Sequence, residues 1–277
     1  MPLKHVARTM LLLLVAAAGT TALVRYAPGF LSNERELDAK YAQGARFELQ
    51  GQDRSFASIF LEEFAGWTRG DLGTSRQYQI PVTELVSPRM KVSARLLTCG
   101  ILCGWLISFC AALPVSGMRR GGYLWRLPFT VLLATPTAAM ATACILSDSG
   151  GPILVLTLLI AARDFKFLAR VLSEAWNSPN VLQGRAQGLG PVALVRLHIL
   201  PSVVDRLSAL ATLSIVTAMA ALIPIEVIFN VPGIGQLAWN AVMNRDMPVL
   251  VAVTAIMATG VALASMFSNS NHTLEAA

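Results

Sequence analysis

Few side chains in this sequence of 277 residues could do covalent or metal chemistry. The three histidines lie far apart along the chain, at His5, His198 and His272. The four cysteines all lie in apolar stretches, at Cys99, Cys103, Cys110 and Cys144. Separated histidines argue against a metal or general-base site, and cysteines in apolar runs usually pack as small apolar side chains. We therefore predict no metal site and no disulfide framework.

The sequence also lacks the motifs with which many enzymes hold a phosphate or activate a nucleophile. It contains no G-x-x-x-x-G-K-[ST] phosphate loop, no H-E-x-x-H zinc motif and no G-x-S-x-G turn. These absences predict a chain that is not an enzyme, has no catalytic residue and binds no cofactor itself. Any energy that its activity needs must then come from another protein.

One polar stretch, residues 163–206, has the residue types of a docking element. Pro179 can begin a helix without losing a hydrogen bond, and the hydroxyl of Ser178 before it can accept from the first-turn amides. Gly188 is a typical residue at the end of a helix. We therefore predict a short helix that runs from about Pro179 to Gln187 and ends at Gly188.

An apolar segment follows this short helix and is predicted to end at Leu200 and Pro201. It contains Leu194, Leu197 and Ile199. A short helix held between two membrane helices suits docking into a groove on a soluble partner. The alternative is an amphipathic helix that lies on the membrane surface, which would explain the polarity of the stretch.

The composition indicates that membrane helices hold this stretch in place. Of the residues, 55% are hydrophobic and 14% are charged, and the mean hydropathy is +0.58, whereas soluble domains average about a quarter charged. The net charge of +6 comes from scattered basic residues, which argues against nucleic acid as a partner. We predict an all-α membrane protein with about six transmembrane helices of about 20 residues each. The apolar blocks are 10–24, 92–115, 127–146, 152–162 extended toward 168, 207–225 and 249–267.

The distribution of lysine and arginine predicts that both termini face the cytoplasm. The short loops on the opposite side keep only Arg245. The basic residues assigned to the cytoplasmic side are Lys4, Arg8, Arg119, Arg120, Arg126, Arg163, Lys166, Arg170, Arg185, Arg196 and Arg206.

We divide the chain into three parts. Residues 1–25 are predicted to form an N-terminal transmembrane helix, which we favour over a cleaved signal peptide. Residues 26–91 form an extracytoplasmic segment, and residues 92–270 form a five-helix core that includes the loop 163–206. In the core, Gly100 and Gly104 allow close helix approach, which we interpret as packing within the subunit; a seam with a second subunit is the alternative.

The loop 163–206 resembles the signature loop of a known family, the permease subunits of binding-protein-dependent ABC importers. In that family a glycine is followed thirteen positions later by the proline of an L-P pair, as Gly188 is by Pro201. The R-A-Q-G-L at 185–189 is similar to the R-A-K-G-L of the oligopeptide, dipeptide and nickel permease branch. In this register the family's E-A-A positions fall at Gln183, Gly184 and Arg185. The resemblance implies an ATPase-coupling loop with Pro179, Gln183, Gly184, Arg185, Ala186, Gln187, Gly188, Leu189, Leu200 and Pro201.

Further segments are similar to that branch, in the same order along the chain. They are R-Y-A-P-G at 25–29, R-G-D-L-G-T-S at 69–75, E-V-I-F-N-V-P-G-I-G at 226–235 and N-R-D-M-P at 244–248. The resemblance implies an extracytoplasmic motif at Arg69, Gly70, Asp71, Leu72 and Gly73, whose glycines are typical of tight turns. It also implies a possible pathway or gate at Glu226, Pro232, Gly233, Gly235 and Asp246.

Two roles are open for Glu226. An ionisable residue inside a membrane usually faces a cavity, so it could line or gate a pathway. Alternatively, it lies at the end of a span and caps the backbone of the turn at Pro232 and Gly233. We favour the cap.

The resemblance implies a multi-pass protein of the bacterial inner membrane that forms half of a pathway for peptides or similar small solutes, including nickel chelates. Its implied partners are a homologous second permease, two ATPase subunits that use ATP and an extracytoplasmic substrate-binding protein. A secondary transporter or channel that needs no ATPase is the alternative. The chain departs from the family in its short loop at 147–151, its C-terminal residues without D-P-R, Gln187 for lysine and Gly184 for alanine. That glycine would loosen the short helix by about 1 kcal/mol.

Overall fold

The computed structural model describes Val15, Gly19 and residues 72–117, 122–148, 150–244 and 246–272. The predicted first span, most of the segment 26–91, the motif at 25–29 and the basic residues Arg119, Arg120 and Arg245 lie outside or almost wholly outside these residues. Throughout the described part the chain is helical, with one isolated bridge between Thr74 and Pro81 and no strand. This confirms the prediction of an all-α protein for this part of the chain.

The described helices follow one another with short connections. In chain order they are α1 (Val82–Gly117), α2 (Gly122–Ala134), α3 (Thr137–Leu146), α4 (Pro152–Trp176), α5 (Pro179–Ala186), α6 (Pro191–Leu194), α7 (Leu200–Ile228), α8 (Ile234–Met243) and α9 (Met247–His272). A π-helical turn, Val195–Ile199, joins α6 to α7 without a break.

Three helical stretches are long and apolar enough to cross a membrane: Val82–Ser116, Pro191–Ile228 and Met247–Ser265. The bent pair α2 and α3 adds a fourth if it counts as one span. The chain is therefore a multi-pass membrane protein by the length and composition of its helices. The predicted helix beginning at Pro152 does continue through Arg163 and Asp164, as expected, and runs on to Trp176.

Two predicted element boundaries were wrong. The block 127–146 is not one helix, because α2 and α3 meet at an angle of 101°. Pro136 lies at the break with an extended ψ of 140°. It has no N–H to donate, and its ring disfavours a helical conformation of the preceding Thr135. In addition, α1 begins at Val82 rather than Val92, because the more polar residues before the apolar block continue the same helix.

The chain divides into two compact units. One unit joins Met1–Met90 with Leu237–Thr259, and the other joins Lys91–Gln236 with Gly260–Ala277. In the second unit, two apolar clusters build the core. Their largest fully buried members are Phe165, Leu156, Ile160, Leu168, Leu172, Ile199, Leu210 and Ile225.

The glycines of α1 set its distance from α4. A Cβ on Gly100 would lie 2.6 Å from Cδ2 of Leu156, and a Cβ on Gly104 would lie 2.8 Å from Cβ of Ile160. Both distances are too short for a larger residue unless Leu156 or Ile160 moves. The predicted close approach within the subunit is therefore confirmed.

Candidate functional site

The short helix α5 forms where the sequence predicted it, one residue shorter than expected. It spans Pro179–Ala186, and Gly188 after it has a left-handed φ of +80°. The Gly188 amide donates to the Arg185 carbonyl at 3.0 Å, and the Leu189 amide donates to the Gly184 carbonyl at 3.1 Å. These two bonds are those of a Schellman motif, in which glycine accepts the left-handed conformation without strain. The predicted role of Gly188 as the helix-ending glycine is confirmed.

The predicted capping by Ser178 was wrong. Ser178 holds the N-cap position in an extended conformation, and Pro179 is the first helical residue as predicted, but the hydroxyl makes no capping hydrogen bond. The backbone carbonyl of Ser178 instead accepts from the amides of Val181 and Leu182, both at 3.2 Å. Pro179 has no amide to donate. The Ser178 carbonyl therefore binds first-turn amides that the hydroxyl was expected to bind.

One side of α5 packs against the following helical segment. Val181 and Gly184 are buried. A Cβ on Gly184 would lie 2.7 Å from Cδ2 of Leu194 and 3.1 Å from the imidazole of His198. Only glycine fits this contact without displacing a neighbour, so the departure from alanine at position 184 has a packing reason that the sequence did not reveal.

The opposite side of α5 is open. Leu182 is 58% exposed, and beyond the helix Val192 and Leu197 are 80% and 59% exposed. The polar residues of the loop motif are also exposed, and the Arg185 guanidinium lies 5.3 Å from the centre of the Trp176 ring. The exposed loop residues are Pro179, Gln183, Arg185, Ala186, Gln187, Gly188, Leu200 and Pro201, and Leu189 is half-buried.

The predicted end of the apolar segment at Pro201 was also wrong. The helix passes through Pro201 and continues as α7. Because proline has no amide and its ring crowds the carbonyl four residues before it, a regular helix would be strained here. The preceding turn is π-helical, and the Leu200 amide donates to the Val195 carbonyl, five residues back. This wider turn accommodates the proline without ending the helix.

An exposed carboxylate joins the two helices on either side of α5. Glu174 near the end of α4 accepts from Arg206 on α7 at 2.7 Å and from Arg170 at 3.1 Å. The hydrogen bond from Arg206, followed by that from Arg170, lowers the pKa of the Glu174 carboxyl. Because all three side chains are about half exposed or more, this ion pair orients the loop more than it stabilises the fold.

Replacing Gly184 with alanine should lower the stability of the protein. The added Cβ meets Leu194 and His198, and we expect a net loss of about 1 kcal/mol, although alanine is the better helix former. The midpoint of thermal unfolding in detergent measures this. As a control, Gln183→Ala on the exposed side of the same helix should change the stability by less than about 0.5 kcal/mol. Shortening Leu194 to valine should reduce the effect of Gly184→Ala; equal effects in both backgrounds would contradict the contact.

Glu226 at the end of α7 caps the next helix. Its side chain is fully buried. The carboxylate accepts from the amide of Gly235 at 2.7 Å, from the amide of Gln236 at 3.1 Å and from the hydroxyl of Ser93 at 2.6 Å. Amides at the start of a helix have no helical partner and favour a negative group. The arrangement supports the capping role that the sequence favoured.

The neighbouring glycines make room for this carboxylate. A Cβ on Gly233 would lie 2.1 Å from Oε1 of Glu226, and a Cβ on Gly235 would lie 2.8 Å from the backbone of Ile223. Pro232 is exposed in the turn between α7 and α8. The structure therefore brings Glu226, Gly233 and Gly235 together as one buried turn. Ser93 on α1 also contacts this turn, because its hydroxyl accepts from the Ile234 amide at 2.8 Å. The sequence did not reveal this contact, since Ser93 lies far from the turn along the chain.

Asp246 belongs to the other compact unit and binds a second family motif. Its buried carboxylate accepts from the hydroxyl of Ser75 and from the amides of Arg76 and Gln77 at 3.1 and 3.2 Å. The segment at 69–75 and the segment at 244–248 are thus in contact. Leu72 and Gly73 are half-buried beside this contact, and Gly73 has a φ of +77°, whereas Arg69, Gly70 and Asp71 lie outside the described residues.

The sequence did not indicate a role for Ser75, although it is the last residue of its motif. Its hydroxyl also accepts from the Tyr78 amide at 3.0 Å. The only signal in the sequence was the motif at 69–75, in which a serine indicates no particular chemistry until Asp246 is placed beside it. Within the described residues, no group of three or more histidine, cysteine or acidic side chains could hold a metal ion.

Long apolar helices joined by an exposed short helix are consistent with the family that the sequence matches. Residues 100–273 match the family described as the inner membrane component of binding-protein-dependent transport systems. The matched region is more than half of the chain and contains α5, Gly188 and Glu226. The chain belongs to this family and is a permease subunit of a binding-protein-dependent ABC importer.

Several curated permeases are similar to it over most of their length. The metal-staphylopine import system permease protein CntB of Staphylococcus aureus (strain Mu50) is 29% identical over an alignment of 227 positions, which covers 73% of this chain and 72% of that protein. The glutathione transport system permease protein GsiC of Pectobacterium atrosepticum is 26% identical over an alignment of 265 positions, which covers 88% of this chain and 86% of that protein. The dipeptide transport system permease protein DppB of Escherichia coli K12 is 22% identical over an alignment of 301 positions, which covers 89% of this chain and 88% of that protein.

Proposed function

We propose that this chain forms half of the translocation pathway of an ABC importer in a bacterial inner membrane. A homologous second permease forms the other half, an extracytoplasmic binding protein delivers the solute, and two ATPase subunits bind and hydrolyse the ATP. The chain itself contributes no catalytic residue. The observation that carries this proposal is α5, an exposed short helix with a Schellman end that lies between two long helices of a permease fold.

The orientation proposed from the basic residues places this loop in the cytoplasm, where ATPases would meet it. With six spans and both termini inside, the loop 163–206 and its arginines face the cytoplasm. The motif at 69–75 and the start of α1 then lie outside. The open apolar side chains Leu182, Val192 and Leu197 suit a groove on a soluble protein better than they suit water.

The solute is proposed from the chemistry that the relatives' names share. Those names specify a metal-staphylopine complex, glutathione and dipeptides. We propose that this importer carries peptides or similar small solutes, with metal chelates such as nickel complexes within the same range.

We propose that α5 transmits the movement of the ATPases to the membrane helices. When the ATPases close on ATP they shift the docked helix, and a rigidly packed element passes that shift on as a rigid-body motion. The glycine contact at position 184 joins α5 closely to the segment that leads into α7. The ion pair of Glu174 with Arg206 supports the same linkage between α4 and α7.

The residues predicted to form a pathway or gate are proposed to position the backbone around them. Glu226, Gly233 and Gly235 fix the start of α8, and Pro232 turns the chain into it. Asp246 holds the segment at 72–77 through its three hydrogen bonds. On this proposal each carboxylate positions the backbone that it binds and does not contact the solute. A secondary transporter or channel is not favoured, because the family is one of importer permeases.

Extraction in gentle detergent tests the proposed assembly. An affinity-tagged chain should carry with it a second permease and an ATPase that contains a phosphate loop, and the ATPase activity should be found only in fractions with that subunit. A matched sample in harsh detergent, which separates subunits, should lose that activity. A chain that is consistently isolated alone from native membranes would contradict the assembly.

A further inference from the structure

A buried acid lies where three helices of the core meet. Asp164 on α4 is fully buried, as is Ser214 on α7. Oδ2 of Asp164 lies 2.6 Å from Oγ of Ser214, and Nε1 of Trp105 on α1 lies 3.1 Å from the same Oγ. Oδ1 of Asp164 has no hydrogen-bond partner among the described residues. Asp164 falls within the stretch 163–206 but before the signature positions 179–201, and neither those positions nor the residues proposed as a gate include Trp105, Asp164 or Ser214.

The hydrogen atoms at Ser214 can be counted. Its Oγ has three polar neighbours: Nε1 of Trp105, Oδ2 of Asp164 and the carbonyl oxygen of Leu210 at 2.8 Å. A hydroxyl donates one hydrogen and accepts two, an indole N–H can only donate, and a carbonyl can only accept. If Ser214 donates to Leu210, its two acceptor positions take the Trp105 N–H and a hydrogen from Asp164. All three contacts are satisfied only when the Asp164 carboxyl carries a proton.

An ionised Asp164 would have little compensation. With a carboxylate, the single hydrogen of Ser214 would have to serve either Leu210 or Asp164, and Oδ1 would remain a bare charged oxygen. The adjacent Arg163 does not donate to Oδ1, which has no partner, and its guanidinium donates to the Leu213 carbonyl at 3.2 Å. Buried charges in proteins are normally paired, and otherwise the group takes its neutral form.

We infer that Asp164 is a neutral carboxylic acid that donates to Ser214, and that Trp105, Ser214 and Asp164 form a positioning site for transport. The site joins α4, which leads into the coupling loop, to α7, which leads out of it, with α1 as the third member. This role rests on the proposed function of that loop. Asp164 does not contact the solute. It holds α4 and α7, the helices on either side of the coupling loop, against each other so that they move together.

Infrared spectroscopy of the full-length chain in lipid tests the protonation directly. The difference spectrum between the wild type and Asp164→Asn at neutral pH should contain the carbonyl stretch of a protonated carboxylic acid, lost in the variant. Glu174→Gln is the control: its exposed, arginine-paired carboxyl should remove only carboxylate bands. Loss of carboxylate bands in Asp164→Asn would overturn the inference.

Uptake by the complete importer tests the positioning role. Asparagine is neutral, has the size of aspartate and can donate to Ser214, so Asp164→Asn should keep most of the uptake. Asp164→Ala and Ser214→Ala each remove the bond and should reduce uptake by roughly tenfold. A folded Asp164→Asn that is as inactive as Asp164→Ala would show that the charge is needed and overturn the proposal. The infrared result does not depend on transport, so it stands or falls separately from the proposed importer function.

Discussion

Replacing Gly188 with aspartate is expected to abolish solute uptake while the protein still inserts and folds. The left-handed φ of +80° at this position costs a non-glycine residue about 1 kcal/mol, and nothing lies within 4 Å of an added Cβ. The new side chain therefore fits the fold but projects from the open surface of α5. An unpaired charge in a docking interface costs about 2 kcal/mol or more, which is roughly a 30-fold loss of affinity for the ATPases.

Two variants separate the charge from the strain in this experiment. Gly188→Asn keeps a residue that tolerates the left-handed conformation but adds no charge, so it should retain more uptake than the aspartate. Gly151→Asp introduces the same charge at another glycine with open space, before α4, and should leave uptake unchanged. Normal uptake with Gly188→Asp would contradict docking at α5. Equal loss with Gly151→Asp would show that added charge harms the protein wherever it lies.

Replacing Glu226 with alanine should have the largest effect on stability. The change leaves the amides of Gly235 and Gln236 and the hydroxyl of Ser93 without the acceptor that they now share. Buried donors without a partner cost about 1–3 kcal/mol each, so we expect a loss of about 3–5 kcal/mol in the stability of the protein. The midpoint of thermal unfolding and the yield of folded protein should both fall, and uptake should fall with them.

A second variant disrupts the same contact by changing the glycine beside Glu226. Gly233→Ala places a Cβ 2.1 Å from Oε1 of Glu226 and should displace the carboxylate, giving the same combined loss. The two roles considered for Glu226 differ in what is lost. If the cap is its role, stability and uptake fall together. Normal stability of Glu226→Ala with uptake lost would contradict the cap and favour contact with the solute.

The elements that could be predicted are those with strong local signals. The short helix α5 is bounded by Pro179 and Gly188, and both act through backbone properties that do not depend on distant residues. The spacing of Gly100 and Gly104 predicted a close helix approach as well, but it did not identify α4 as the partner helix. The break at Pro136 and the uninterrupted helix at Pro201 show the limit of this reasoning. A proline ends, bends or is absorbed by a helix depending on how its neighbours rearrange, and the sequence alone does not decide which.

The contacts that the sequence could not predict join residues far apart in the chain. Ser93 meets Glu226, Ser75 meets Asp246, and the acid at position 164 meets Ser214. The sequence predicts that glycine at position 184 loosens the helix, whereas the structure shows that it allows close contact with Leu194 and His198. In each case the residue was visible, but its partner was set by packing between helices, which follows from the fold and not from spacing.

ATP-driven uptake into proteoliposomes tests the central claim most directly. The importer, assembled from this chain and the subunits that copurify with it, would be reconstituted with its binding protein and given a labelled dipeptide. The account predicts uptake that requires ATP on the side of the ATPases, and that is lost when this chain is omitted or carries Gly188→Asp. Uptake by this chain alone, driven by an ion gradient without ATP, would contradict it.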